Sequence, residues 1–448
     1  MQPQRLSQLL AALGLTIPPE AEAQVTGISI DTRTLKPGDL FIAIPGPSFD
    51  GHNFVEAARN KGAIGALVEH HVESALPQWQ VANSRLALGT IAAWYRSQFT
   101  LPVIAVTGSS GKTTTKEMIA SILRQKGQVL ASESSFNNEI GVPLTLLGLN
   151  DKFDFAVIEL GANHPGEIAY TTALVQPRVA VVNNVGPAHI AGFGSLAGVA
   201  GAKSEIFSGL GPEGVAVINA DDPFASEWRH TAASHQQLSF GMLEAADISG
   251  EIIDSTPEGC AKVLIQDTSG EIQVQLPLPG DHNAMNALAA AACARALDIS
   301  LQEIKAGLSH VKGVAGRMQT VKHESGSRII DDTYNANPGS VKAAIKYLAN
   351  LNGIRILALG DMGELGEEAS FYHRQIGVDA KRMGIDKLYT CGVLSAVTSE
   401  AFGDGATHFT EISDLIAALT PQLQKESTIL VKGSRSARME RVVKALTE

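Results

Sequence analysis

A chain of 448 residues is long for a single hydrophobic core and predicts two to four domains. With 44% hydrophobic and 18% charged residues it has the make-up of a folded, soluble protein, which excludes a disordered or fibrous one. A net charge of −11 argues against a nucleic-acid or anionic-membrane surface, so an anionic substrate would need a local basic pocket.

The three cysteines, Cys260, Cys293 and Cys391, are odd in number, far apart and without Cys-x-x-Cys spacing. They predict a reducing compartment and no disulfide framework. At the N-terminus Leu6, Leu9, Leu10 and Leu13 recur at helical spacing, so the start reads as an amphipathic helix rather than a secretion signal. No apolar run is long enough to span a bilayer, and the expected location is the cytoplasm.

Residues 1–83 hold short strand-like pieces at Leu40–Ile44 and Gly65–Val68, many turns, and the string Ser29-Ile30-Asp31-Thr32-Arg33. A small N-terminal α/β domain is expected there. Residues 84–313 open with a helix and continue with buried-strand candidates at Leu101–Val106, Phe155–Leu160, Val179–Asn183 and Val215–Asn219, separated by helical stretches. That alternation predicts a mostly parallel sheet with helices on both faces. Short alternating runs at Leu238–Leu278 suggest a β-rich insertion, followed by an Ala-rich helix over Asn283–Leu297. Residues 314–448 alternate again, with strands expected at Arg328–Ile330, Ile356–Leu359, Lys387–Tyr389 and Thr428–Val431 and a helix at Ser340–Leu348. The pattern is Rossmann-like, without a G-x-G-x-x-G fingerprint after its first strand. The fold class is therefore α/β in three domains: a smaller N-terminal one, a central P-loop-type one with a mostly parallel sheet, and a Rossmann-like C-terminal one.

The most informative stretch is Thr107-Gly108-Ser109-Ser110-Gly111-Lys112-Thr113-Thr114, between an apolar strand and the helical run Lys112–Gln125. Strand, glycine turn and helix start aim backbone N–H groups at an anion. Lys112 would reach terminal phosphates and the Thr113 hydroxyl would ligate Mg²⁺. The loop is short: Gly108 and Gly111 enclose only Ser109 and Ser110, and Val106 stands where the usual motif has its first glycine.

Further polar residues follow the other strands. Glu159 ends one strand, at the edge where open parallel sheets bind ligands, and is a candidate Mg²⁺ ligand opposite Thr113. His189 lies just past another. Lys203, read alone, is a solvated helix lysine, and Asn283 can be an N-cap, with Asn286 one turn further on. In the last segment Arg317, the run Asp331-Asp332-Thr333-Tyr334-Asn335-Ala336-Asn337-Pro338, Asp361 to Gly366 and Lys432-Gly433-Ser434-Arg435 give three polar loops expected along one sheet edge. Each alone could be an ordinary βα turn.

Together these strings resemble the Mur ligase family over essentially the whole chain. The short loop, Glu159, His189, Lys203 and His282-Asn283-x-x-Asn286 carry that resemblance. Within the family, Phe136-Asn137-Asn138-Glu139-Ile140-Gly141-Val142-Pro143, Gly161 to Ile168, Asp331 to Pro338 and Asp361 to Gly366 look like the branch that adds D-alanyl-D-alanine. The Asp-Asn-Pro-Arg string of the branch adding the third amino acid is absent, and the loop continues Gly-Lys-Thr-Thr rather than the Gly-Lys-Gly-Ser of folylpolyglutamate synthetases.

The resemblance implies ATP, two Mg²⁺ ions, UDP-MurNAc-tripeptide and D-Ala-D-Ala as cofactors and substrates, in a monomer. It implies catalytic roles for Lys112, Glu159, His189 and Lys203, with ATP held by Gly108, Ser109, Ser110, Gly111, Lys112, Thr113, Thr114, Asn286, Arg317 and Asp331. Asn286 would contact the adenine. Thr113, Glu159, His189 and a carbamylated Lys203 would serve the two ions. Ser29, Asp31 and Arg33 would meet the uridine end of the substrate, Asn137 and Asn138 the acceptor region, and Tyr334, Asn335 and Asn337 the incoming dipeptide. Ligand contacts drawn from several domains imply hinge closure.

Overall fold

The computed structural model describes residues 1–17, 22–133 and 136–448. Its centre is a nine-stranded sheet. Val103–Thr107 lies between Phe155–Glu159 on one side and Val179–Val182 on the other, all parallel. The chain leaves Val103–Thr107 for the edge strand Val129–Ala131, returns to Phe155–Glu159, and then crosses to the opposite flank. This reversal is a topological switch point, where the carboxyl ends of adjacent strands open a crevice. Residues after Thr107, Glu159 and Val182 therefore meet at one place.

The strands are apolar because both faces are covered. Ile104, Val106, Val157 and Val181 are buried on one face against helix Lys112–Leu123 and helix His282–Arg295. Ala105, Ile158, Ala180 and Val182 are buried on the other, in a core that also takes in Leu88 and Ile91 of helix Ser84–Arg96. That second core runs on into Leu40, Ile42 and Leu67 of a four-stranded parallel sheet spanning residues 27–80. The first helix, Leu6–Ala12, buries Leu6, Leu9 and Leu10 there, while Leu13 is half-buried just past its end.

The segment expected as a β-rich insertion instead extends the central sheet. Gln236–Gly241 pairs parallel with Val215–Asn219, and Ile248–Ser255, Cys260–Asp267 and Gly270–Pro279 continue as a meander. The alternation in Gly270–Pro279 is that of a sheet with one solvated face: Ile272, Val274 and Leu276 are buried and their neighbours exposed.

A third sheet, of six strands, spans residues 319–432. The last strand in sequence, Ser427–Lys432, sits in its middle between Arg328–Asp332 and Ile354–Gly360. The loops after these three strands are therefore neighbours, as expected. Two polar strands escaped the sequence reading: the antiparallel edge Gln319–Lys322 and the opposite edge Ala406–Phe409. The cores on the two faces of this sheet contain only residues from 318 onward. All three cysteines are free. Among the described residues no helix is long and apolar enough to cross a membrane.

The helix behind the phosphate loop is held by close backbone contact. Helix Leu301–Ser309 presses Gly307 so near that a Cβ there would stand 2.3 Å from Ile122 Cα. Ser121 Oγ donates to Gly307 O at 2.7 Å. Gly307→Ala is expected to destabilise the protein by about 1–3 kcal/mol, the cost of overpacking a tight contact. The check is a lower thermal unfolding midpoint.

Candidate active site

The loop's shape depends on its glycines. Gly108 has φ +149°, and a Cβ on it would come within 3.0 Å of Asn183 Cβ. Gly111 has φ +77° and caps helix Lys112–Leu123, and a Cβ there would stand 2.4 Å from Asn286 Oδ1. Polar side chains fix the turn from below. Ser110 N donates to Asn184 Oδ1 at 2.9 Å, and Asn183 Nδ2 and Asn184 Nδ2 donate to Ser110 O at 2.9 and 3.0 Å. The first amides of the helix have no acceptor within it and face the crevice as an anion site.

Asn286 is buried under this turn. Its Oδ1 accepts from Asn183 Nδ2 at 2.9 Å and Thr115 Oγ1 at 3.3 Å, and its Nδ2 donates to Asn283 Oδ1 at 2.9 Å. In this structure it supports Gly111. Asn283 does not cap its helix: the N-cap is Asp281, and Asn283 Nδ2 donates to Pro279 O at 2.8 Å.

A cavity of about 690 Å³ opens above the loop. Lys112 Nζ donates to Gly108 O at 2.8 Å. Loss of solvent pushes its pKa below the ordinary lysine value, with Arg317 adding to the effect and Glu159 opposing it. Thr113 Oγ1 donates to Glu159 Oε2 at 2.7 Å, and Asn137 Nδ2 donates to Glu159 Oε1 at 2.9 Å. A hydroxyl and a buried carboxylate in contact form the hard oxygen set that suits Mg²⁺. Thr114 and Asn138 also line this cavity. Asn138 Oδ1 accepts the amide of Gly141 at 2.9 Å.

The third sheet supplies the opposite wall. Arg317 Nη2 donates to Thr113 Oγ1 at 2.8 Å, and the guanidinium stacks 4.2 Å from the Tyr334 ring centre. Asn337 Nδ2 reaches Ser110 Oγ at 3.2 Å. Asn337 Oδ1 also caps helix Pro338–Ala349 by accepting Ser340 N at 2.8 Å. Tyr334, Asn335 and Asn337 line the cavity, as does Asp332, whose Oδ2 lies 2.6 Å from Lys432 Nζ. Asp331 is spent locally, accepting Thr333 N at 3.1 Å and Thr333 Oγ1 at 2.6 Å. The arrangement is closed, with Tyr347 Oη donating to Glu258 O at 2.8 Å and Lys346 Nζ 2.9 Å from Asp281.

His189 lies where the crevice meets the third sheet, with left-handed backbone at φ 56°. Its Nδ1 pairs with Glu364, and that imidazole holds the Glu364 carboxyl below its ordinary pKa. Lys203 is not the solvated lysine that its sequence context suggests: it is 1% exposed. Its Nζ sits 5.5 Å from the Phe193 ring centre and, among the described residues, makes no hydrogen bond or ion pair. Burial, then the Lys112 charge, lowers its pKa to about 7.

Ser29, Asp31 and Arg33 lie apart from this cavity, Ser29 at the end of strand Gly27–Ser29 of the four-stranded sheet and Asp31 and Arg33 in the turn that follows it. Ser29 Oγ donates to Asp31 O at 3.0 Å, and Arg33 Nη2 lies 2.7 Å from Asp31 Oδ2. The sequence reading missed the props Asn183 and Asn184, the Asp332–Lys432 pair and the Glu364 partner of His189. Their strings each follow a strand at the ligand edge, but which side chains pair there depends on register and on contacts far apart in sequence.

A phosphate cradle at the switch point of the nine-stranded sheet, facing polar loops at the carboxyl edge of the six-stranded sheet, defines a nucleotide-dependent enzyme whose site is shared between two sheets. Three family profiles match: "Mur ligase family, catalytic domain" at residues 24–95, "Mur ligase middle domain" at 106–294, and "Mur ligase, glutamate ligase domain" at 316–435. The UDP-N-acetylmuramoyl-tripeptide--D-alanyl-D-alanine ligase of Escherichia coli is 46% identical over 96% of this chain and 95% of its own length. A MurF crystal structure from Acinetobacter baumannii superposes with a TM-score of 0.94 at 38% identity, covering 99% of each chain. MurF from Thermotoga maritima, in complex with ADP, gives 0.86 at 28% identity over 94% of this chain and 97% of that one. The chain belongs to the Mur ligase family, and it is an ATP-dependent ligase that forms amide bonds.

Proposed function

We propose that the chain joins D-alanyl-D-alanine to UDP-N-acetylmuramoyl-tripeptide in the cytoplasm, as a monomer, at the expense of one ATP. The relatives' names support the substrates, and the contact of Thr113 with Glu159 at the head of the loop carries the chemistry. The tripeptide carboxylate attacks the γ-phosphorus, the bond to the β-phosphate oxygen breaks, and ADP leaves. The dipeptide amine then attacks the acyl carbon of the resulting acyl phosphate. The C–O bond breaks, phosphate departs, and the amine proton is lost to solvent.

Two anions must meet in the first step, so positive charge is needed at the loop. Lys112 supplies it from beside the Gly108 carbonyl, and the helix amides supply partial charge. Thr113 and Glu159 would hold one Mg²⁺, and His189 with Lys203 a second. Bound there, these ions offset the phosphate charge. A protonated Lys203 would repel a cation. Its amine is half neutral near pH 7, and a neutral buried amine can take up CO₂ with loss of a proton to give a carbamate anion. The Lys203 site fits an ion only in that form.

Arg317 would serve ATP from the third domain, whereas Asp331, bonded into the Thr333 turn, and Asn286, bonded beneath Gly111, would reach the nucleotide only by giving up those bonds. Ser29, Asp31 and Arg33 would serve the uridine end, and Asn137 and Asn138 the acceptor peptide. On this reading residues 1–83 would take the uridine end, 84–313 the phosphates of ATP and the acceptor peptide, and 314–448 the rest of ATP and the dipeptide.

The test is phosphate release from ATP with UDP-MurNAc-tripeptide, with and without D-Ala-D-Ala. Release indifferent to the dipeptide refutes the reading. Closure is tested by solution scattering. The ligand-free protein is expected to be more extended than the protein with nucleotide and tripeptide substrate, because the third domain meets the central one through a few polar contacts, among them the exposed Lys346–Asp281 pair and the Tyr347–Glu258 hydrogen bond, rather than through a shared apolar core. An unchanged radius of gyration refutes closure.

A further inference from the structure

A second cavity, of about 650 Å³, adjoins the first. It begins at Ser109 and Lys112 of the loop and ends at Ser434, Arg435 and Arg438 of the third domain. Its charges are largely matched in pairs. Glu364 is paired with His189, and Glu440 with Arg435 at 3.7 Å. Two cations remain. Lys112 stands at the phosphate end and Arg438 at the far end. Arg438 is solvent-exposed and lines the cavity, and among the described residues its guanidinium has no hydrogen bond and no ion pair.

The backbone marks the same place. Seven non-glycine residues have positive φ among those described. Three of the seven, His189, Glu364 and Arg438, line this one cavity. Left-handed backbone is uncommon for such side chains and gathers at binding and catalytic sites.

We propose that Arg438 is the clamp for the terminal carboxylate of the incoming dipeptide, and so selects a free acid with its amine toward the loop. This rests on the ligase reading above. An acceptor carrying an amine at one end and a carboxylate at the other matches a cavity with phosphate chemistry at one end and an unmatched guanidinium at the other. A dipeptide spans about 7 Å when extended, so one end can reach the acyl phosphate while the other stays on the third domain. Guanidinium pairs with carboxylate through two parallel hydrogen bonds, which fixes direction as well as affinity.

The experiment compares D-alanyl-D-alanine with its C-terminal amide, using the full chain with saturating ATP and UDP-MurNAc-tripeptide. The wild type is expected to use the amide about 100-fold less efficiently, the usual worth of a charge-assisted contact. Arg438→Gln should raise KM for the dipeptide by about the same factor, with KM for ATP unchanged, and should treat acid and amide alike. Arg438→Lys should keep part of the preference. A wild type that uses the dipeptide but accepts the amide equally well overturns the clamp without touching the ligase reading, and this result needs no variant to fold. An Arg438→Gln protein that still prefers the acid also overturns it, as does a rise in KM for ATP equal to that for the dipeptide. A wild type with no dipeptide-dependent turnover removes the ligase reading and the clamp together.

Discussion

Lys112→Met is expected to lower dipeptide-dependent turnover by about 10³-fold, the scale of losing a preorganised charge at a developing phosphoryl transition state. The same change should leave the unfolding midpoint level or higher. The argument for both comes from the lysine's surroundings. Among the described residues its Nζ makes one hydrogen bond, to the Gly108 carbonyl, and its lowered pKa means that the folded protein holds the charged form at a cost. Methionine keeps the length of the side chain and removes that cost. Catalytic groups often carry this trade between activity and stability. Turnover by phosphate release and thermal unfolding on the same preparation read the two effects separately. Turnover within fivefold of the wild type would remove Lys112 from the mechanism.

Much of this was legible in the sequence, for a physical reason. A strand buried on both faces is an unbroken apolar run, so Val103–Thr107 and Val179–Val182 announce themselves, and the polar residues that follow them mark the sheet's carboxyl edge. Order within the sheet was not legible. Nothing local says that Ser427–Lys432, last in sequence, lies between Arg328–Asp332 and Ile354–Gly360. Gln319–Lys322 has a single half-buried valine among exposed polar residues, so it carries no period to read.

Site residues divide in the same way. Loop chemistry is local and could be read. Its support is not, because Asn183 and Asn184 reach Ser110 from more than 70 positions away. The paired aspartates show the limit at its narrowest. Successive strand residues face opposite ways, so register alone decides that Asp332 meets Lys432 in the cavity while Asp331 holds the Thr333 turn. Sequence gives the pair, and pairing with Ser427–Lys432 chooses between them.

Lys203 is where folding changes the meaning of a residue most, and its replacement is the second large effect. Lys203→Ala is expected to lose turnover on the order of 10³-fold, since an anion at this point would hold an ion worth several kcal/mol of charge stabilisation. Small carboxylates such as acetate should restore part of it by filling the vacated space with a negative charge. With ¹³C-bicarbonate the wild type should give a carbamate carbon resonance that Lys203→Arg lacks, because guanidinium stays protonated. The pH dependence has a definite sign. The folded-state pKa of about 7 lies below the ordinary 10.5, so between those values the unfolded chain binds the proton that the native protein sheds. Stability from this group is therefore present above the ordinary lysine value and is lost as pH falls through about 7. Carbamate formation, which also releases a proton, acts in the same direction. The wild-type unfolding midpoint should thus rise with pH across this window relative to Lys203→Met. A parallel pair of curves, or a Lys203→Ala enzyme with near-normal turnover and no response to acetate, would return Lys203 to a packing role.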